Sequence, residues 1–191
     1  TRAAKPVMIL ANNMVFSCVF IKLRGLINRY YSKTSNHRLL PTQHSRDYKS
    51  AMFKPCLLIP VYNHGSLIAE TWERLRQFDL PCLMVDDGSE LDTATVLDAL
   101  AAHEPSITLL RLPQNSGKGA AVLQGIAEAH RLGYSHALQI DADGQHDTHD
   151  IPAMLALAEK EPEALISGAP QYGDDIPKAR LYGRFITHFW V

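Results

Sequence analysis

Ala137-Leu138-Gln139-Ile140-Asp141-Ala142-Asp143-Gly144-Gln145-His146 is the stretch that decides the fold. Residues 137–140 predict a short buried strand, apolar apart from Gln139. It runs straight into two carboxylates one residue apart. Asp141 and Asp143 point the same way only if the backbone stays extended between them. Gly144 then allows a sharp turn that folds Gln145 back toward the same point. The expected result is a small oxygen-rich pocket at the carboxyl end of a strand. Such a pocket suits a hard divalent cation, Mg2+ or Mn2+, that is also held by substrate phosphates. A solvated acidic turn is the alternative for this stretch taken alone.

Outward from this stretch, residues 52–191 alternate strands and helices. Strands are expected at 56–61, 82–85, 107–110, 137–140 and 164–167. Helices are expected at 66–78 with Ser66 as cap, from Asp92 or Thr93 to 103, at 119–131 and at 152–160. Residues 56–61 form a continuous apolar run, as in a parallel strand covered on both faces. Pro60 must then fall at the strand end, where the ladder no longer needs an N–H. This alternation predicts an α/β fold with a mostly parallel, Rossmann-like sheet and helices on both faces. Ligands in such sheets bind beyond the carboxyl ends of the strands, near a switch in strand order. Each polar cluster of this region falls at such an end: Tyr62/Asn63/His64, Asp86/Asp87, residues 115–118, and residues 141–145.

Asp86 and Asp87 are suited either to a base N–H and ribose hydroxyls or to capping a helix start. Residues 115–119 (Asn-Ser-Gly-Lys-Gly) place small residues before a helix, which favours anion binding by backbone N–H groups. Lys118 adds a point charge for a phosphate, although the spacing is not that of a Walker A loop. His146 and His149 hint at zinc, but the oxygen donors around them favour magnesium or manganese, leaving the histidines an outer or surface role.

Taken together, residues 59–63 (Ile-Pro-Val-Tyr-Asn), 85–89 (Val-Asp-Asp-Gly-Ser), 115–119 and 141–146 (Asp-Ala-Asp-Gly-Gln-His) resemble, in order and spacing, the family 2 glycosyltransferases. The dolichyl-phosphate mannosyltransferase-like branch is the most similar, over roughly residues 54–191. The resemblance implies a GT-A fold, a nucleotide-diphosphate-sugar donor, a divalent metal and an inverting transfer. It implies that Pro60, Tyr62, Asn63, Asp86 and Asp87 line the nucleoside pocket, with Lys118 near phosphate. It gives Asp141, Asp143 and Gln145 to the metal. His64 departs from the Glu that many members carry after the Tyr-Asn pair. Arg180 and Arg184, four apart on one helix face, look similar to arginines that approach an acceptor phosphate. A hydroxyl acceptor needs a general base, for which Asp174 and Asp175 are candidates; a lipid phosphate does not. Family members continue beyond the position of Val191, so the acceptor side is expected to be incomplete. A cytoplasmic enzyme acting at the membrane face on a lipid-phosphate or glycan acceptor follows from the resemblance. The competing classes are a sugar-nucleotide pyrophosphorylase, whose glycine-rich Arg-containing loop is not matched at residues 62–65, and a non-catalytic nucleotide- or carbohydrate-binding fragment.

Charge sets the first part of the chain apart. Residues 1–51 carry a net +8 and residues 52–191 a net −9. Residues 1–51 are expected to lie outside the domain as a basic leader. Three readings are open: a disordered segment, a membrane-surface anchor, or sequence upstream of a true start at Met52. The apolar stretch at 7–21 is too short for a bilayer span, which needs about 20 residues. Nucleic acid is excluded as a partner because the folded part is acidic. Cys18, Cys56 and Cys82 show no metal or redox spacing and are expected to be free thiols.

Overall fold

The computed structural model describes residues 6–10, 19–23 and 53–169. Among them are seven strands: β1 (Pro6–Leu10), β2 (Val19–Lys22), β3 (Pro55–Val61), β4 (Cys82–Asp86), β5 (Ile107–Arg111), β6 (His136–Gln139) and β7 (Leu165–Ala169). Four helices connect them: α1 (Gly65–Leu75), α2 (Leu91–His103), α3 (Lys118–Arg131) and α4 (Ile151–Lys160). The strands form one sheet in the order β1-β7-β2-β6-β3-β4-β5. β6, β3, β4 and β5 are mutually parallel, whereas β2 runs antiparallel to both β6 and β7.

Alternate residues of the parallel strands face opposite cores. Leu57, Ile59, Cys82, Met84 and Leu138 pack with Ile68, Trp72 and Leu75 of α1, Leu97 of α2 and Met154 of α4. Cys56, Leu58, Leu83, Val85 and Ala137 pack with Ala121, Ile126 and Ala129 of α3 on the other face. Helices therefore cover both faces, as the continuous apolar runs require. Cys56 and Cys82 are buried free thiols, and burial pushes the Cys56 thiol up to about 12. Cys18 lies outside the described residues.

Pro60 lies within β3, in register with Val85 of β4, and the reason it is tolerated is directional. The Leu57 N–H donates to Pro81 of the β4 side at 2.8 Å, and Leu58 accepts from Ile140 of the β6 side at 3.0 Å. By alternation the Pro60 ring also faces β6, whose pairing stops at Leu58 and Gln139. The missing N–H therefore falls where no ladder partner remains.

Two expectations need correction. The helix at 65 is not capped by Ser66; the carbonyl of His64 accepts from Leu67 and Ile68, both at 3.0 Å, with no side-chain cap. More consequential is the basic first part, expected to stand outside the domain. Two of its stretches are strands of the same sheet. Phe20 and Leu23 are fully buried, and the Phe20 ring stacks 6.1 Å from that of Phe53. A four-residue strand needs few apolar anchors, so its signal is lost among basic neighbours.

The chain steps from β3 to β4 to β5, then returns through α3 to place β6 on the far side of β3. Strand order reverses between β3 and β6. The loops after these two strands flank that crevice, which is where such sheets bind ligands.

Candidate functional site

The loops after β3, β4, β5 and β6 all leave the same edge of the sheet. Asp86 ends β4 and Asp87 follows it; both are buried, at 0 % and 3 % exposure. One Asp86 oxygen accepts the Ser89 N–H at 2.9 Å and the other accepts from Arg111 Nε at 2.8 Å. Burial by itself raises the Asp86 pKa; the Ser89 bonds and the Arg111 guanidinium outweigh it and hold the carboxyl below its ordinary value. Asp87 reaches across to the loop after β5. Its two oxygens accept the N–H groups of Ser116 at 2.8 Å and Gly117 at 2.9 Å. Gly88, at φ +69°, completes this junction, because a Cβ there would lie 2.5 Å from the Asn115 nitrogen. The 86–89 and 114–117 loops are thus one body.

Asn63 follows β3 in the left-handed region at φ 56°, a conformation Asn tolerates. Its Oδ1 accepts the Glu90 N–H at 2.8 Å and its own N–H donates to Ser89 Oγ at 3.1 Å. This ties the β3 loop to the β4 loop. Tyr62 beside it is 44 % exposed, and His64 is exposed.

The β6 loop differs from the extended acidic finger read from sequence. The strand ends at Gln139 and the chain turns at Ala142 and Asp143. The two carboxylates are therefore related by a turn rather than by strand alternation. The physical reason is local: Asp143 Oδ1 accepts the Gln145 N–H at 3.1 Å and Gly144 supplies a φ of +68°. Asp141 Oδ1 accepts from Lys118 Nζ at 2.6 Å and from Gln139 Nε2 at 2.8 Å. The Asp141 N–H donates to His146 Nε2 at 2.9 Å, so that ring nitrogen carries no proton in this arrangement. His146 is 5 % exposed, which places it behind the acidic loop rather than on the surface.

Among the described residues no three His, Cys, Asp or Glu side chains are grouped to hold a metal. Asp141, Asp143 and Gln145, expected from sequence to hold a cation, lie on the one turn after β6, and their oxygen donors are of the hard kind that Mg2+ and Mn2+ take together with phosphate oxygens. Asp174, Asp175, Arg180 and Arg184 lie outside the described residues. Three contributors were not singled out from sequence: Gln139, Ser89 and Arg111. Of these Gln139 left a trace as the one polar residue in the apolar run before Asp141, and Ser89 as the last residue of the Val-Asp-Asp-Gly-Ser run at 85–89, whereas Arg111 left none.

Residues 56–189 match the family model described as Glycosyl transferase family 2. The chain belongs to that family. Among relatives of this glycosyltransferase family, an undecaprenyl-phosphate mannosyltransferase of Micrococcus luteus is 33 % identical over 100 residues, 51 % of this chain and 41 % of the relative. A dolichyl-phosphate beta-glucosyltransferase of Trichomonas vaginalis is 28 % identical over 176 residues, 81 % of this chain and 52 % of the relative. A solved mannosyltransferase from Pyrobaculum calidifontis, in complex with GDP-Man and Mn2+, is 19 % identical at a TM-score of 0.39, covering 63 % of this chain and 36 % of that one. That likeness is too slight to add to the topology described above. The chain spans about half the length of the curated relatives it matches. No described helix is long and apolar enough to cross a membrane.

Proposed function

We propose that this family 2 chain carries the donor site of an inverting glycosyltransferase. It would transfer a sugar from a nucleotide-diphosphate donor to a polyprenyl-type lipid phosphate, with Mg2+ or Mn2+. The observation that supports the reading is the meeting of the β3, β4, β5 and β6 loops at the switch in strand order, where the Lys118 ammonium pairs with Asp141.

Each residue group then has a distinct task. The exposed Tyr62 ring offers a face for the base. Asp86 and Asp87, buried and bonded within the protein, shape the nucleoside side of the crevice by holding its loops in place. Pro60 and Asn63 fix the loop that carries Tyr62. Asp141, Asp143 and Gln145 would hold the cation, and Lys118 stands beside them for the diphosphate. When bound, a divalent cation supplies Lewis-acid stabilisation of the charge developing on the leaving diphosphate. The aspartates have the wrong sign for that job and act by positioning. A lipid phosphate is already an anion and needs no proton removed, so Asp174 and Asp175 are required only for a hydroxyl acceptor. Arg180 and Arg184 are assigned to the acceptor phosphate. A lipid acceptor places the protein at a membrane face through peripheral contact.

The test is release of nucleoside diphosphate by the full chain, given UDP- or GDP-sugars, Mn2+ and a polyprenyl phosphate. Asp143→Ala is expected to lower turnover by about a hundredfold or more, in the range of losing one transition-state contact. Turnover near that of the unaltered chain at saturating metal would reject the assignment.

A further inference from the structure

We infer that Thr71 and Arg74 of α1 are positioning residues for the acidic loop. The inference rests on the reading of Asp141 and Asp143 as a cation site. From one face of α1, three residues apart, they hold the two peptide carbonyls on either side of Asp143. Thr71 Oγ1 donates to the Ala142 carbonyl at 3.2 Å in a buried contact. Arg74 Nη2 donates to the Gly144 carbonyl at 2.7 Å.

Two further observations make this more than an ordinary tertiary tie. A Cβ on Gly144 would fall 2.2 Å from Arg74 Nη2 and 3.0 Å from Thr71 Oγ1. The absent side chain at 144 is what admits the guanidinium. Arg74 Nε, in turn, is buried with no hydrogen-bond partner among the described residues. A guanidinium held with one donor unsatisfied is placed for the bond it does make. The tie also joins two parts of the site. α1 starts immediately after the Tyr62–His64 turn, whereas the acidic loop follows β6, about 70 positions later in sequence. The loop for the base and the loop for the cation therefore share one rigid helix, and the spacing between them is set by α1.

The test measures Mn2+ affinity of the full chain by electron paramagnetic resonance of the free ion, with saturating GDP or UDP. Unfolding midpoints in urea are measured alongside. Arg74→Gln is expected to weaken Mn2+ binding about tenfold, as loss of a supporting partner behind a metal site does. Arg74→Lys, which keeps a donor for Gly144, should stay within about threefold of the unaltered chain on the same basis. A folded Arg74→Gln chain that binds Mn2+ as tightly as the unaltered chain overturns the inference. If the unaltered chain binds no Mn2+, the cation-site reading itself fails. The contact is then judged by a metal-free cycle, in which Gly144→Ala is compared in the Arg74 and Arg74→Ala backgrounds. A smaller shift of the midpoint in the second background upholds the clamp, and strict additivity removes it.

Discussion

Asp87→Asn isolates the junction that makes the β4 and β5 loops one body. The Asp87 carboxylate is buried and accepts two N–H groups, from Ser116 at 2.8 Å and Gly117 at 2.9 Å. Hydrogen bonds to a charged group contribute about 1.5–3 kcal/mol each, against roughly 1 for a neutral pair. An asparagine keeps one acceptor oxygen at neutral strength. Its NH2 group then faces the other amide, donor against donor. The expected loss is about 2–4 kcal/mol on that accounting. Urea unfolding followed by tryptophan fluorescence reads the loss as a lowered midpoint. Amide exchange at Ser116 and Gly117 should accelerate more than exchange in β3. A midpoint change equivalent to less than about 0.5 kcal/mol, the range of an ordinary surface substitution, would refute the claim that this carboxylate organises the loops.

Phe20→Ala should cost about 3 kcal/mol or more in urea unfolding, as removal of a fully buried aromatic ring does; a loss below about 1 kcal/mol, short of that mechanism's range, would put β2 outside the cooperative fold. Lys118→Met frees Asp141 Oδ1 from its ion pair, so Mn2+ alone should bind more tightly while nucleoside diphosphate binds less well, both read by calorimetry; unchanged affinities for both would remove Lys118 from the site. His136 gives a pH signature. Burial lowers its pKa from the ordinary 6.5, so the folded state favours the neutral ring. Its contribution is fully present above about pH 6.5 and is lost as pH falls through the lower folded value. Urea midpoints should drop between pH 7.5 and 5.5, and His136→Gln should flatten that slope.

The parallel half of the sheet was legible because burial on both faces leaves an uninterrupted apolar run, as in residues 56–61. The loops were legible because their polar residues sit directly after such runs. What the sequence does not carry is which partner a polar side chain chooses. Asp87 reads equally well as a ligand contact or a cap, and its bond to the 116–117 amides depends on two strands lying side by side. The turn at Ala142 and Asp143 was hidden for a similar reason: D-x-D fixes neither backbone angle, and the Asp143 bond to the Gln145 N–H decides it. β2 was hidden because an antiparallel strand of four residues between two parallel ones shows its apolar requirement only at Phe20 and the adjoining Leu23. Arg74 left no mark at all, since a basic residue on an amphipathic helix ordinarily faces water.

The central claim is that the loop crevice binds a nucleotide through a divalent cation held by Asp141 and Asp143. Calorimetric titration of the full chain with UDP and with GDP, each with and without Mn2+, tests it most directly. The account predicts binding of one nucleotide that needs Mn2+ and is abolished by Asp143→Ala. Binding that is indifferent to Mn2+ or to that substitution, or no binding of either nucleotide, would contradict it.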